Sequence, residues 1–228
     1  MRHGFIILFF LPMIMALGSC INVSQPSTRL HRDAFVQVSV DLMYRETEDE
    51  PWDTSSGLGS GVVVHADHEN SYVLTAAHVC NDEAELFSAD FLKIITVNNW
   101  HGLTEQGDVI ALDPINDLCI IEIAKINVSP VRLSNKVPKV GQHVYNLAAP
   151  HGIFGDNFIL TFDGFIAGTV GNEIIYTIPT GAGSSGSPIL NRQGQLVGII
   201  HSSSTMMESM AVGTGSLYIH RLLETIKN

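Results

Sequence analysis

The sequence predicts an all-β protein, built as barrels or as a sandwich, and three observations lead to that class. Short apolar segments recur at close spacing, with Gly and Pro in the connections between them. The alternation of strands with long helices that is typical of a parallel sheet is missing from the pattern. The length of 228 residues suits one large all-β domain or two small barrels that share an interface.

The strand pattern begins at residue 34. Residues 35–40 alternate apolar and polar side chains with a period near two, as a half-buried strand does. Residues 45–56 are charged and are predicted to form a turn-like connection. The other predicted strands are 62–65, 72–75, 92–97, 109–112, 118–123, 144–148, 157–162, 174–178, 189–190 and 196–200.

The C-terminus is the one segment that clearly predicts a helix. Its apolar residues fall at positions i, i+3, i+4 and i+7 and so share one face; they are Ile219, Leu222, Leu223 and Ile226. The divide between two halves of the chain is placed in residues 129–141, which include Pro130 and Pro138.

Composition narrows the classes of partner. Hydrophobic residues make up 45% of the chain, enough for a core of this size, and charged residues only 15%. The chain has 12 Lys and Arg against 23 Asp and Glu, and the basic residues form no run, so a nucleic-acid partner is not predicted. The 10 His residues are scattered without the spacing of zinc ligands, and neither a metal nor an organic cofactor is expected.

Residues 1–20 are predicted to be an export signal. The apolar stretch 4–17 follows two basic residues and is shorter than the roughly 18 residues that a membrane-spanning helix needs. It ends in Leu17-Gly18-Ser19-Cys20, which resembles the lipobox of bacterial lipoproteins, so Cys20 is the predicted site of lipidation. Ordinary cleavage and an uncleaved signal anchor are the alternatives. Residues 21–33 are polar and are predicted to be a tether, and the protein is expected in the periplasm or at the cell surface, anchored to the membrane by its lipid.

The two remaining cysteines, Cys80 and Cys119, each lie two residues from a candidate functional residue. In an oxidising compartment they could form a disulfide, because such compartments allow the bond to persist. The sequence alone does not fix the distance between them, and two buried thiols remain the alternative.

Three local signals indicate nucleophilic catalysis. His78 follows Thr75-Ala76-Ala77 at the end of a predicted strand, where an imidazole can serve as a general base near neutral pH. Asp117 leads directly into the apolar strand 118–123, which favours a buried carboxylate that orients the imidazole. Asp108 and Asp113 are the local alternatives, and Asp117 is preferred because the apolar strand 118–123 begins at its next residue.

The third signal is the most specific, and it is the loop Gly183-Ser184-Ser185-Gly186-Ser187-Pro188 between two apolar strands. A nucleophilic serine needs backbone N–H groups aimed at the oxygen that becomes charged, and a preceding glycine permits the backbone to turn them inward. Ser185 is therefore the candidate nucleophile, with the N–H groups of Gly183 and Ser185 as the predicted oxyanion hole. A flexible Gly-Ser linker is the alternative interpretation.

The order His, Asp, Ser, with the serine in this loop, resembles the trypsin-like serine proteases. The bacterial HtrA-type and glutamyl-endopeptidase branches are the most similar, through Leu58-Gly59-Ser60-Gly61-Val62 and through Leu196-Val197-Gly198-Ile199. A PDZ-sized segment is not expected after the protease domain. The resemblance implies two antiparallel six-stranded β-barrels at 34–130 and 131–228, the second with the C-terminal helix, and a site in the cleft between them.

The resemblance also implies a function, namely a serine endopeptidase that acts on protein or peptide substrates. Thr180 is similar to a pocket-wall residue of glutamyl endopeptidases, but the pocket histidine of those enzymes aligns with Ile200, and His201 is one residue out of register. An uncharged, apolar or small residue is therefore expected before the cleaved bond. A catalytically silent partner-binding lipoprotein and a hydrolase of small esters remain the alternatives, and the oligomeric state is not predicted.

Overall fold

The computed structural model describes residues 30–45, 47–80, 90–204 and 209–226. The predicted signal segment, Cys20 and residues 21–29 of the predicted tether lie outside the described residues. Within these ranges, no helix combines the length and the apolar character needed to cross a membrane.

The first barrel consists of six antiparallel strands: β1 Phe35–Arg45, β2 Asp53–Ala66, β3 Asn70–Thr75, β4 Asp90–Asn99, β5 Thr104–Asp113 and β6 Leu118–Ala124. They pair in the order β1-β2-β3-β6-β5-β4, and β4 pairs back to β1 to close the barrel. The predicted alternation in β1 is confirmed, because Val36, Val38, Val40 and Leu42 are all buried.

The second barrel is assembled from the C-terminal half of the chain: β7 His143–Ala148, β8 Phe154–Gly155, β9 Phe158–Val170, β10 Glu173–Tyr176, β11 Pro188–Leu190, β12 Leu196–Ser203 and β13 Ala211–Gly215. Its strands are adjacent in the order β10-β13-β12-β11-β7-β9. Pairing of β9 with β10 closes these six strands into a barrel, and β8 pairs with the other part of β9. The predicted all-β fold of two antiparallel six-stranded barrels is thereby confirmed.

Among the described residues, two α-helices accompany the barrels, besides the short 3-10 helices Arg32–Ala34 and Pro150–Gly152. α1, Ala77–Cys80, is a single turn directly after β3, so His78 lies on this turn and not on the strand itself. α2, Ser216–Thr225, confirms the predicted C-terminal helix and begins three residues before the first predicted apolar position. Its residues Ile219, Leu222 and Leu223 are buried against the same core cluster as the first barrel.

Some predicted boundaries are wrong. The turn-like connection predicted over 45–56 is too long, because β1 and β2 remain paired as far as Tyr44 opposite Asp53. Ser56 Oγ donates a hydrogen bond to Asp41 Oδ1 at 2.6 Å across this strand pair. Contacts between polar side chains therefore help to keep β1 and β2 paired beyond the core. Strand β9 continues eight residues past its predicted end, and β8 and β13 were not predicted.

The two barrels share one continuous apolar interface. Leu147, Leu190 and Ile199 of the second barrel belong to the same buried cluster as Val63 and Leu74 of the first. The connecting segment is hydrogen-bonded to both barrels, since Val131 N–H donates to the Val63 carbonyl and Leu196 N–H donates to the Arg132 carbonyl, each at 2.9 Å. This packing fixes the loops that face each other across the cleft.

Candidate active site

Strand pairing brings His78 and Asp117 together. Strands β3 and β6 are antiparallel neighbours, with Thr75 opposite Cys119. The chain leaving β3 therefore passes beside the chain entering β6, because antiparallel partners run past each other at their ends. The turn α1 then points His78 at the residue that precedes β6.

A disulfide joins the same two chain segments. Cys80 and Cys119 are bonded, with their Cα atoms 6.5 Å apart and 39 residues apart in sequence. Both cysteines are buried in the core of the first barrel. The bond lies two residues beyond His78 and two residues beyond Asp117, so it ties the segment that carries the imidazole to the segment that carries the carboxylate.

Both oxygens of Asp117 accept hydrogen bonds from His78. Oδ2 is 2.7 Å from His78 Nδ1, and Oδ1 accepts from the His78 backbone N–H at 2.9 Å. Burial opposes the charged form of Asp117, but these hydrogen bonds and the nearby imidazoles outweigh it and hold the pKa of Asp117 below its usual value. The carboxylate is therefore ionised when the imidazole needs a counter-charge.

Asp117 has a left-handed backbone, with φ of 51°, at the end of a tight turn. Aspartate tolerates this region better than most residues. Asp113 builds the turn, because its Oδ1 accepts from the N–H groups of Ile115 and Asn116, each at 3.1 Å. Asp108 lies exposed in β5. Neither alternative carboxylate takes the position beside His78.

The turn that carries Asp117 is also held from the second barrel. Thr214 Oγ1 donates to the Asn116 carbonyl at 2.6 Å, and Asn172 Nδ2 donates to Asn116 Oδ1 at 2.9 Å. The carboxylate is thus positioned by contacts from both barrels, since these two partners lie on strand β13 and on the β9–β10 turn.

Ser185 lies on a loop whose shape depends on two glycines. Gly183 and Gly186 have φ of 89° and 84°, in the left-handed region. A Cβ on Gly183 would come within 2.6 Å of the Ala149 carbonyl oxygen, and one on Gly186 would collide with the Ser60 carbonyl oxygen. The loop can therefore approach its neighbours this closely only with glycine at both positions.

The loop brings Ser185 to the free edge of the imidazole. Ser185 Oγ is 2.8 Å from His78 Nε2. Because Asp117 accepts from Nδ1, the hydrogen-bond network assigns the ring proton to Nδ1 and leaves Nε2 as the acceptor for the serine hydroxyl. The three residues thus form one continuous chain of hydrogen bonds from carboxylate to hydroxyl.

Two backbone N–H groups of the loop around Ser185 differ from their neighbours in their hydrogen bonding. The neighbouring N–H groups are hydrogen-bonded: the Ser184 N–H donates to the Gly181 carbonyl at 2.9 Å, and the Gly186 N–H donates to the Ile200 carbonyl at 2.7 Å. Within the part of the chain that the structure describes, the N–H groups of Gly183 and Ser185 donate to no protein acceptor. These are the two donors that the sequence assigned to an oxyanion hole.

Two clefts flank the pair of His78 and Ser185. One, with a volume of about 220 Å³, is lined by Thr180, Gly181, Ala182, Ser184, Ser185, Ile200, His201, Ser202 and Ser203. The other, of about 190 Å³, lies on the His78 side and is lined by Val40, Ser55, Ser56, Gly57, Leu58, His78 and Val79. The three residues predicted to form the pocket all line the first cleft, although Ile200 is only 1% exposed.

Among residues 30–45, 47–80, 90–204 and 209–226, no three or more His, Cys, Asp and Glu side chains are grouped so that they could hold a metal ion.

The geometry of the loops and the barrels agrees with comparisons to known proteins. Residues 59–199 match the family described as "Trypsin-like peptidase domain". This chain belongs to the trypsin-like peptidase family. The resemblance to trypsin-like proteases that the sequence indicated is confirmed. The relatives of this chain include proteins of the HtrA type.

Two relatives illustrate the similarity. Serine protease Do-like HtrB of Bacillus subtilis is 29% identical over 154 residues, which cover 61% of this chain and 31% of that protein. A probable periplasmic serine endoprotease, DegP-like, of Buchnera aphidicola is 30% identical over 149 residues, which cover 62% of this chain and 30% of that protein. The chain therefore spans about a third of the length of these curated relatives.

Solved structures show the same fold. The serine endoprotease from Yersinia pestis superimposes with a TM-score of 0.66 at 23% identity, covering 87% of this chain and 64% of that chain. The active form of the Rv3671c protease from Mycobacterium tuberculosis gives a TM-score of 0.66 at 17% identity, covering 85% and 81%. At these low sequence identities, the superpositions support the two-barrel fold alone.

Besides Asn116, Asn172 and Thr214, sequence reasoning missed Ser60, which also supports the site. Ser60, fully buried in β2, donates from Oγ to the Gly183 carbonyl at 2.8 Å, and its Oγ accepts from the Ala149 N–H at 3.1 Å. Its backbone N–H donates to the Ser185 carbonyl at 2.7 Å. The available signal was a serine between two glycines directly before the apolar run 62–64, since a buried hydroxyl requires partners.

Proposed function

We propose that this chain is a serine endopeptidase in which Ser185 is the nucleophile, His78 the general base and Asp117 the carboxylate that orients and stabilises the imidazole. The observation that carries the proposal is the pair of hydrogen bonds on His78, 2.7 Å to Asp117 and 2.8 Å to Ser185. Both lie within the reach that proton transfer requires.

The proposed reaction begins when Ser185 Oγ attacks the carbonyl carbon of a peptide bond and its proton moves to His78 Nε2. The imidazolium that forms is stabilised by Asp117, whose pKa lies below its usual value because the hydrogen bonds from His78 outweigh burial. His78 then gives the proton to the departing amine. Water repeats the two proton transfers on the acyl-enzyme and releases the new carboxyl terminus.

The oxygen of the tetrahedral intermediate is expected to bind the N–H groups of Gly183 and Ser185. Their lack of acceptors among the described residues supports this role, because it leaves both N–H groups available to a ligand. Removing a donor of this kind lowers kcat by about 10²–10³-fold in other serine proteases. The mechanism requires neither a metal ion nor an organic cofactor.

The acyl side of the substrate is expected in the cleft that contains Thr180, and the leaving-group side in the cleft beside Ser55 and Leu58. The first cleft has a volume of about 220 Å³ and is lined mostly by small polar and apolar side chains. A small, uncharged side chain is therefore the expected residue before the cleaved bond. Acidic side chains are disfavoured, because the described lining holds no Lys or Arg and burial keeps the pKa of its one imidazole, His201, below the ordinary value.

The protein is proposed to act outside the cytoplasm. Its relative from Buchnera aphidicola is described as periplasmic, and residues 1–20 have the pattern of an export signal. A disulfide between Cys80 and Cys119 also suits an oxidising compartment. Anchoring through a lipid on Cys20 is part of the proposal, and mass spectrometry of the membrane fraction from cells expressing the parent and Cys20→Ser would test it.

A peptide library tests the activity. The parent chain and Ser185→Ala are incubated with a mixture of peptides derived from whole-proteome digests, and new termini are read by mass spectrometry. We expect cleavage by the parent, a preference for small uncharged residues before the cut, and no cleavage by Ser185→Ala. A Ser129→Ala variant, in which an exposed serine outside the site is changed, should behave as the parent.

The same samples distinguish the competing functions. Turnover of p-nitrophenyl acetate without any peptide cleavage would indicate an ester hydrolase instead. A folded parent that cleaves neither peptide nor ester would indicate a silent partner-binding protein on the same fold.

A further inference from the structure

A second histidine lies against the carboxylate of the site. His201 Nδ1 is 3.8 Å from Asp117 Oδ2, the same oxygen that is hydrogen-bonded to His78 Nδ1. This separation is too long for a hydrogen bond but within the distance of an ion pair when the ring is charged. The side chain of His201 is only 12% exposed, whereas that of His78 is 49% exposed.

The local backbone explains why His201 reaches the carboxylate. The pairing of β12 with β13 shifts register here, since Ile200 is opposite Gly213 and Ser202 is opposite Val212. His201 is therefore the extra residue of a β-bulge, and bulges redirect side chains next to active sites. Two backbone hydrogen bonds of Ile200 hold the strand in place. The Ile200 N–H donates to the Ser187 carbonyl at 2.9 Å, and the Ile200 carbonyl accepts from the Gly186 N–H at 2.7 Å.

The charges around His201 come from three elements. Asp117 precedes β6, Glu173 begins β10, and His78 lies on α1. Burial lowers the pKa of His201 and the His78 charge lowers it further, while Asp117 and Glu173 act in the opposite direction, and the net result is a pKa below the ordinary value. His201 is therefore neutral at pH 7, and it accepts a proton only below the ordinary range of an imidazole.

We propose that His201 is a positioning residue that shares Asp117 with His78, so that the site binds two protons in acid and reacts only when it has released both. The inference rests on the proposed function, because it concerns the same carboxylate. A protonated His201 would neutralise Asp117, and the imidazolium formed on His78 during attack would then lack its counter-charge. Protonation of either ring accordingly stops the reaction, and the two titrations belong to the pair.

The rate at which diisopropyl fluorophosphate inactivates the enzyme tests this without any knowledge of the substrate. The rate is measured from pH 4 to pH 8 on the full chain for the parent, His201→Asn and the control His101→Asn, whose ring is exposed and lies 4.0 Å from Asp33, which is not a residue of the site. At the acidic end we expect the parent and the control to slow by about 100-fold per pH unit, since two protons must leave, and His201→Asn to slow by about tenfold. Parallel profiles for the parent and His201→Asn would overturn the proposal.

A titration followed by NMR separates failure of this inference from failure of the proposed function. In Ser185→Ala, the imidazole resonances of His78 and His201 are followed against pH. This measurement does not depend on catalysis, and it does not depend on whether a His201 variant folds. We expect each ring to report two inflections because the rings share one carboxylate. One independent inflection for each ring would overturn the inference, and coupled rings in a chain that no fluorophosphate labels would overturn the proposed function alone.

Discussion

The first barrel fixes its two site residues through a covalent bond, whereas the second barrel fixes Ser185 through backbone conformation and hydrogen bonds. Cys80–Cys119 ties the segments that carry His78 and Asp117. Ser185 instead depends on Gly183 and Gly186, both with positive φ, and on contacts from Ser60. Loss of the two kinds of support should therefore have different effects: removing the disulfide should lower stability, and replacing a loop glycine should lower reactivity in a protein that remains folded.

Asp117→Asn should produce the largest loss of activity, because it removes the carboxylate charge beside His78 and leaves the size of the side chain almost unchanged. Asparagine tolerates the left-handed backbone at this position, so the turn should persist. We expect kcat/KM to fall by about 10⁴-fold, since the amide favours the wrong imidazole tautomer. Steady-state hydrolysis of a peptide found in the library measures this, with Asp108→Asn as the control. A loss below tenfold would remove Asp117 from the proposed triad.

Loss of the disulfide should mainly lower the stability of the first barrel. For a separation of 39 residues, chain entropy predicts a stabilisation of roughly 4 kcal/mol. The double variant Cys80→Ser/Cys119→Ser should therefore show a free energy of unfolding in urea lower than the parent by about that amount. Dithiothreitol should destabilise the parent and leave the double variant unchanged. A difference below about 1 kcal/mol would show that strand pairing alone holds the two segments.

Gly183→Ala should separate reactivity from folding in the second barrel. The added Cβ would come within 2.6 Å of the Ala149 carbonyl oxygen, so the Gly183 N–H must turn away from the proposed oxyanion position. We expect kcat to fall by about 10²–10³-fold, the effect of losing one such donor. Gly171→Ala is the matched control, because Gly171 also has a positive φ of 62° but nothing within 4 Å of an added Cβ. Equal losses in both variants would attribute the effect to backbone strain.

Ser60→Ala should have the smallest effect, because it breaks a contact between the barrels that is made by one hydroxyl. The change leaves the Gly183 carbonyl and the Ala149 N–H without their buried partner, at a cost of about 2 kcal/mol in the free energy of unfolding. Urea denaturation measures the difference. Ser56→Ala, which removes an exposed hydrogen bond on the same strand, is expected to change stability by less than about 0.5 kcal/mol. Similar values for the two variants would contradict a structural role for Ser60.

The sequence predicted best where the signal is local. Strand β6 and the carboxylate before it follow from an apolar run that begins at Leu118, and α2 follows from a single apolar face. The loop around Ser185 was also identified locally, from its glycines. These features depend on neighbouring residues, so the pattern along the chain contains them.

What the sequence left open depends on distant partners. Strand β13 has only two apolar residues, Ala211 and Val212, and two glycines, so its composition predicts a connection until its pairing with β10 and β12 is known. The contact of His201 with Asp117 arises from a bulge that the pairing creates. The disulfide likewise needed a distance that spacing along the chain does not give.

The most direct test of the proposed activated serine is labelling by a fluorophosphonate probe, read as the intact mass of the protein. The parent and the control Ser129→Ala should each gain one adduct, and Ser185→Ala should gain none, because only a serine beside a properly held imidazole reacts readily. Absence of an adduct on a folded parent, or an adduct that persists in Ser185→Ala, would contradict the assignment of Ser185 as the nucleophile.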